Sequence, residues 1–111
     1  MKTICVDGVE YVQKVSEENP YVICRTYSAG AFAGYLKKRE GREVTLINAR
    51  RLWYWDGAAS LSQLAMEGTK SPDKCKFPCA VDEVVLLEAI EILKCTAEAK
   101  SSIEGVQEWK R

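Results

Sequence analysis

From Tyr21 to Trp55 the chain is rich in β-branched and aromatic residues, cut by only two short breaks. Tyr21-Val22-Ile23-Cys24-Arg25-Thr26-Tyr27 reads as a strand, because branched and flat side chains fit a pleated, half-buried surface. Ser28-Ala29-Gly30-Ala31 is a small-residue turn, and Phe32 to Arg39 reads as the return strand, ending at Gly41. Glu43 to Trp55 then reads as a long strand, with Val44, Leu46 and Asn48 on one face and Thr45 and Ile47 on the other. These runs point to one α+β domain spanning residues 1–111, with an antiparallel β-sheet core and short helices.

The rest of the chain supplies the helices. Asp56-Gly57 closes the long strand. Ser60 is expected to cap a helix over Leu61 to Glu67 by accepting an orphan amide bond, and Gly68 to stop it. Thr69 to Pro78 is a loop. Thr96 is expected to cap a short helix through Ile103, ended by Gly105. Val84 to Leu93 is ambiguous. Leu86, Ile90 and Leu93, with Val84 and Leu87, fit a helix, while Ile90-Glu91-Ile92-Leu93 pulls toward strand. Near the N-terminus, Asp7-Gly8 between Thr3–Val6 and Val9–Val12 is a two-residue hairpin signal. Ser16 to Pro20 is a polar breaker.

Charge narrows the function. The chain has 16 basic and 16 acidic residues among 111. That balance argues against a partner made of DNA or RNA polymer, which draws a basic excess. No apolar run reaches the roughly 20 residues that span a bilayer. Met1 to Gly8 lacks the apolar core of a signal peptide, so a cytoplasmic protein is expected. Five cysteines, an odd count, fit a reducing compartment. There is no histidine. A zinc site would therefore need four scattered thiolates, and the C-x3-C pair Cys75 and Cys79 reads better as small buried thiols. No metal and no cofactor is expected. The missing histidine also removes the Ser-His-Asp triad and the Cys-His pair, which moves the reading from enzyme to binding protein.

Recognition chemistry concentrates in two segments. The first is Asn48-Ala49-Arg50-Arg51-Leu52-Trp53-Tyr54-Trp55-Asp56-Gly57-Ala58-Ala59-Ser60. Arginine forks suit phosphates and aromatic faces suit bases. On a strand only one of Arg50 and Arg51 can face a given pocket, and the other is expected in solvent. Gly57, Ala59 and Ser60 open a helix whose free amides could hold a phosphate, though an ordinary capped helix explains them as well. The second segment is Arg25, Tyr27, Ser28, Ala29, Gly30 and Phe32, which offers a cation, hydroxyls, a turn and aromatics; a plain hairpin accounts for it equally. Phe77 completes the candidate ligand set, which contains no catalytic residue. Trp109 is expected to dock on a partner subunit. Lys37-Lys38-Arg39 with Arg42 reads as a solvated hairpin tip. Asp82, Glu83, Glu88 and Glu91 show no catalytic geometry.

Tyr21 to Gly30, Gly34-Tyr35-Leu36, Asn48 to Ala65 and Cys75-Lys76-Phe77-Pro78 together resemble a family of small phage and prophage proteins that includes the first-described type of Thoeris anti-defence protein. The resemblance runs over about residues 20 to 111. It implies a sponge that binds cyclic ADP-ribose isomers made by TIR-domain defence enzymes, and some cyclic di- or trinucleotides, without cleaving them. It further implies a homo-oligomer, a dimer assembling to a hexamer, with subunits associating through sheet and helices. The alternative is an accessory protein that binds a host protein through the Trp53-Tyr54-Trp55 patch.

Overall fold

The computed structural model describes residues 19–110. The Asp7-Gly8 hairpin, Cys5 and most of the Ser16–Pro20 breaker lie outside them. The elements run β1 (Tyr21–Thr26), β2 (Ala31–Glu40), β3 (Glu43–Arg51), α1 (Leu61–Glu67), a 3-10 turn at Pro72–Lys74, β4 (Val81–Leu86), β5 (Ala89–Lys94) and α2 (Ala97–Glu104). Within the sheet every strand pairing is antiparallel, and the order is β4-β3-β2-β1-β5. The fold is therefore the α+β sheet that the strand runs imply.

The strand order forces the sheet to curl. β4 and β5 lie at opposite edges, yet only Leu87 and Glu88 join them. Across a flat sheet four spacings would separate them by about 19 Å. Leu86 to Ala89 can span at most about 11 Å. The edges must converge, and backbone bonds lock the junction: the Tyr27 amide donates to Glu88 O at 2.9 Å and the Ala89 amide to Arg42 O at 3.0 Å.

Curling gives the sheet two cores. Val22, Cys24, Phe32, Val44, Leu46, Ala49 and Leu86 form one, built from strand residues alone, so it fills the concave side. Tyr21, Ile23, Ala31, Ala33 and Leu52 point the other way and pack on Leu64 and Ala65 of α1, Ile103 of α2, and Cys75, Phe77 and Val106. Adjacent residues of β1 alternate between the two cores, as a pleated strand requires.

In β3 the alternation is broken by a bulge. Ala33 pairs with Arg50 and Tyr35 with Ile47, so Gly34 faces both Asn48 and Ala49. Asn48 takes a left-handed φ of 51°, which asparagine tolerates better than most side chains. A Cβ on Gly34 would stand 2.9 Å from Ala49 Cα and 3.1 Å from Ile47 O, so only glycine fits opposite the extra residue. Beyond the bulge the inner face continues with Ala49, not with the expected Asn48. Arg50 turns outward and Arg51 inward.

Both helices begin where expected. Ser60 Oγ accepts from the Gln63 amide, and Thr96 Oγ1 from the Ala99 amide. Val84 to Leu93 is not a helix: it holds the end of β4, the Leu87-Glu88 junction and most of β5. The apparent helical stripe is split, with Leu86 buried and Leu87 and Ile90 exposed. The strand expected to reach Trp55 ends at Arg51, where the chain leaves the sheet toward α1.

Candidate functional site

Thr26, buried at the end of β1, organises the turn to β2. Its hydroxyl donates to Gly30 O at 2.7 Å and accepts from the Ala29 amide at 2.9 Å. Gly30 supplies the left-handed φ of 89° that closes the turn. The chain is thereby held so that Ala29 O meets the end of β3. Arg51 Nη1 donates to that carbonyl at 2.7 Å, and its guanidinium carbon lies 4.5 Å over the ring of Phe32. An exposed cation thus sits over a buried aromatic, and four of its five N–H groups have no partner among the described residues.

The other residues of the second segment lie along the same turn and its flanking strand, with Arg25 paired to Ala31 on the opposite face of β1 from Phe32. Tyr27 is 80% exposed. The Ser28 hydroxyl donates to Glu88 at 2.6 Å, and Arg25 Nε pairs with Glu91 at 2.9 Å. A cavity of about 310 Å³ adjoins the turn, bounded by Thr26, Ser28, Ala29, Val85 and Leu87. The turn thus offers one partly free guanidinium, exposed hydroxyls and apolar walls, while Glu88 and Glu91 offset the charge of Arg25. Such an arrangement can hold an anion and a flat ring.

The remaining candidates lie elsewhere. Arg50 is not in solvent but buried on the outer face. Its Nε donates to Pro78 O at 3.2 Å, Nη1 to Ile103 O at 3.1 Å and Val106 O at 2.9 Å, and Nη2 to Phe77 O at 2.8 Å. The Ile103 bond satisfies a carbonyl at the C-terminus of α2, where a cation also suits the helix dipole. Burial lowers the Arg50 pKa from its ordinary value, opposed mainly by Tyr21. Phe77 is fully buried beneath it, 5.5 Å from the guanidinium. Gly57 is hemmed in, since a Cβ there would approach Ser71 N to 2.5 Å. The α1 start serves itself: Gln63 Oε1 accepts from the Ala59 amide, and Ser60 caps. Trp53 is 62% exposed, whereas Trp55 packs against the outer core. The Trp109 amide donates to Phe77 O at 3.0 Å, and its side chain is half-buried.

Sequence reasoning passed over Lys76, whose ammonium sits between the Tyr54 ring at 5.8 Å and the Trp109 ring at 5.6 Å. It also passed over Tyr21, Glu104 and Glu108, which surround a separate cavity beside Asn48 and Arg50. A tyrosine in an apolar strand and two glutamates in a polar tail carry no local signal of convergence. Among the described residues, Cys24 and Cys75 are buried free thiols, Cys95 is half-buried, and Cys79 is exposed. Burial pushes the Cys95 thiol up to about 12. No group of three or more metal-binding side chains converges among the described residues. No helix there is long and apolar enough to cross a membrane.

A family model described as a domain of unknown function, DUF6948, matches residues 19–103. No curated protein and no solved structure matches the chain.

Proposed function

We propose that this chain, which belongs to the DUF6948 family, binds and sequesters a cyclic nucleotide without cleaving it. The ligand class is cyclic ADP-ribose isomers, extending to cyclic di- or trinucleotides, and the setting is phage evasion of TIR-dependent Thoeris defence in the host cytoplasm. One observation carries the reading: the exposed Arg51 guanidinium sits over the Phe32 ring, anchored by Ala29 O at the turn that also carries the exposed Tyr27. A pyrophosphate can take two N–H groups of such a fork, and an adenine can stack on an exposed aromatic. The Asn48-Ala49-Arg50-Arg51 motif, with its resemblance to the anti-defence family, supports the same ligand. A chain without histidine loses nothing by this role, because a sponge needs slow release and not turnover. Enclosure between subunits of a homo-oligomer would slow release further.

Calorimetric titration with cyclic ADP-ribose isomers and cyclic dinucleotides, followed by heat release of the ligand, tests the proposal. Tight binding with the ligand recovered intact is expected. A chemically altered ligand would make the protein an enzyme. Absence of binding to the whole panel would sink sequestration.

A second reading rests on Trp53 and Tyr54, which are 62% and 50% exposed. Aromatic side chains of this kind anchor protein interfaces. On that reading the partner is a host protein, and Trp53→Ala abolishes its capture while nucleotides have no effect.

A further inference from the structure

Behind the β3 bulge, on the outer face, a cavity of about 300 Å³ opens between β3, the end of α2 and the C-terminal segment. Its size lies at the lower end for small-molecule sites. Two buried side chains line it from below. Tyr21 is 6% exposed, and its hydroxyl has no hydrogen-bond partner among the described residues. Arg50 is 8% exposed, and four of its five N–H groups are taken by backbone carbonyls, leaving one on Nη2. Three exposed side chains stand above: Asn48, Glu104 and Glu108. Glu104 accepts from the Tyr35 hydroxyl at 3.1 Å, which fixes one carboxylate oxygen.

A buried hydroxyl left without a partner is destabilising, so something is expected to accept from Tyr21. The donors below require an acceptor carrying negative charge. The carboxylates above favour a cation, with Lys100 near Glu104 and Arg50 near Glu108 offsetting part of their charge. An anion alone would pass two glutamates to reach Arg50, and an amine alone would end against a guanidinium. We propose that this cavity is a binding site for a free α-amino acid, its carboxylate on the Tyr21 hydroxyl and Arg50 Nη2, its ammonium between Glu104 and Glu108. Burial, reinforced by Glu104, raises the Tyr21 pKa and keeps the phenol protonated, as a donor must be. The site lies on the opposite face from Arg51 and is independent of nucleotide binding.

The test titrates the full chain with single free α-amino acids, and with their N-acetyl and carboxamide forms, following amide chemical shifts. At least one free amino acid is expected to bind, and each blocked form to bind about tenfold more weakly or worse. Tyr21→Phe keeps the ring and its edge contact with Tyr35, and is expected to weaken binding about tenfold. Glu104→Gln, on an exposed helix end, is expected to do the same without touching the core. Arg51→Ala leaves the affinity unchanged. Three outcomes overturn the proposal: no free amino acid binds, blocked forms bind equally well, or both Tyr21→Phe and Glu104→Gln bind like the parent chain.

Discussion

The two faces of the sheet are built on different principles. The concave face closes on itself, and its fully buried core comes from strand side chains alone. The outer face is capped by two short helices and by loops, and at its centre sits a cation bonded to four carbonyls from two separate stretches of chain. Arg50 and Arg51 are neighbours in sequence, yet one is buried structure and the other a surface group resting on Phe32. The comparison teaches that an arginine's role follows from the face it is dealt. Here the bulge opposite Gly34 deals it.

The sharpest way to break the contrast is Arg50→Met. Pro78 O and Val106 O would lose the Arg50 donor, Phe77 O and Ile103 O would keep only a backbone amide, and stability is expected to fall by about 4 kcal/mol or more in denaturant unfolding. Paired leucine truncations compare the cores directly. Leu46→Ala is expected to destabilise by about 4 kcal/mol and Leu64→Ala by about 2 to 3, because α1 can settle into its cavity while the closed inner wall cannot. Equal losses would mean that the two cores relax alike. Gly34→Ala drives a Cβ into the bulge and is expected to cost about 2 kcal/mol in the same assay.

A pH series probes the outer face more gently. The folded state holds Cys95 neutral, up to about 12 against an ordinary 9.0. Its contribution is therefore intact below 9.0 and is lost as pH rises from there toward about 12. Thermal unfolding should show this decline, and Cys95→Ala should lessen it, with buried Cys24 and Tyr21, also raised by burial, supplying the rest. Smallest in stability is Arg51→Ala, expected to change unfolding by no more than about 1 kcal/mol. Its nucleotide affinity should nonetheless fall about tenfold in calorimetry.

Much of the fold is legible because its signals are local. Ser60 and Thr96 each bond an amide three residues on, so the helix starts can be read in a short window. The same holds for the β1–β2 turn around Gly30. What stays hidden is equally specific. Val84 to Leu93 is left open in the sequence because Val84, Leu87, Ile90 and Leu93 fall at helical spacing by coincidence, while the strand leaning of Ile90 to Leu93 matches β5. Asn48 looks like one more alternating position, and only the cross-strand glycine reveals the bulge. Arg50 is illegible as structure because its partners are backbone carbonyls far along the chain, with no side-chain signature. Within the candidate site, the Arg51–Phe32 stack joins the two recognition segments, whereas Phe77, Gly57 and Ser60 prove to be packing, spacing and capping residues.

The Leu87-Glu88 junction has a kinetic consequence. β1, β2 and β3 can zip up in order, each closing a short loop. β4 and β5 follow one another in sequence but never pair with each other; each must find a partner laid down much earlier. Because they share a two-residue leash, neither can dock far ahead of the other. Folding should therefore divide into a fast meander and one late, concerted closure of both edges, the step richest in distant contacts and thus the slowest.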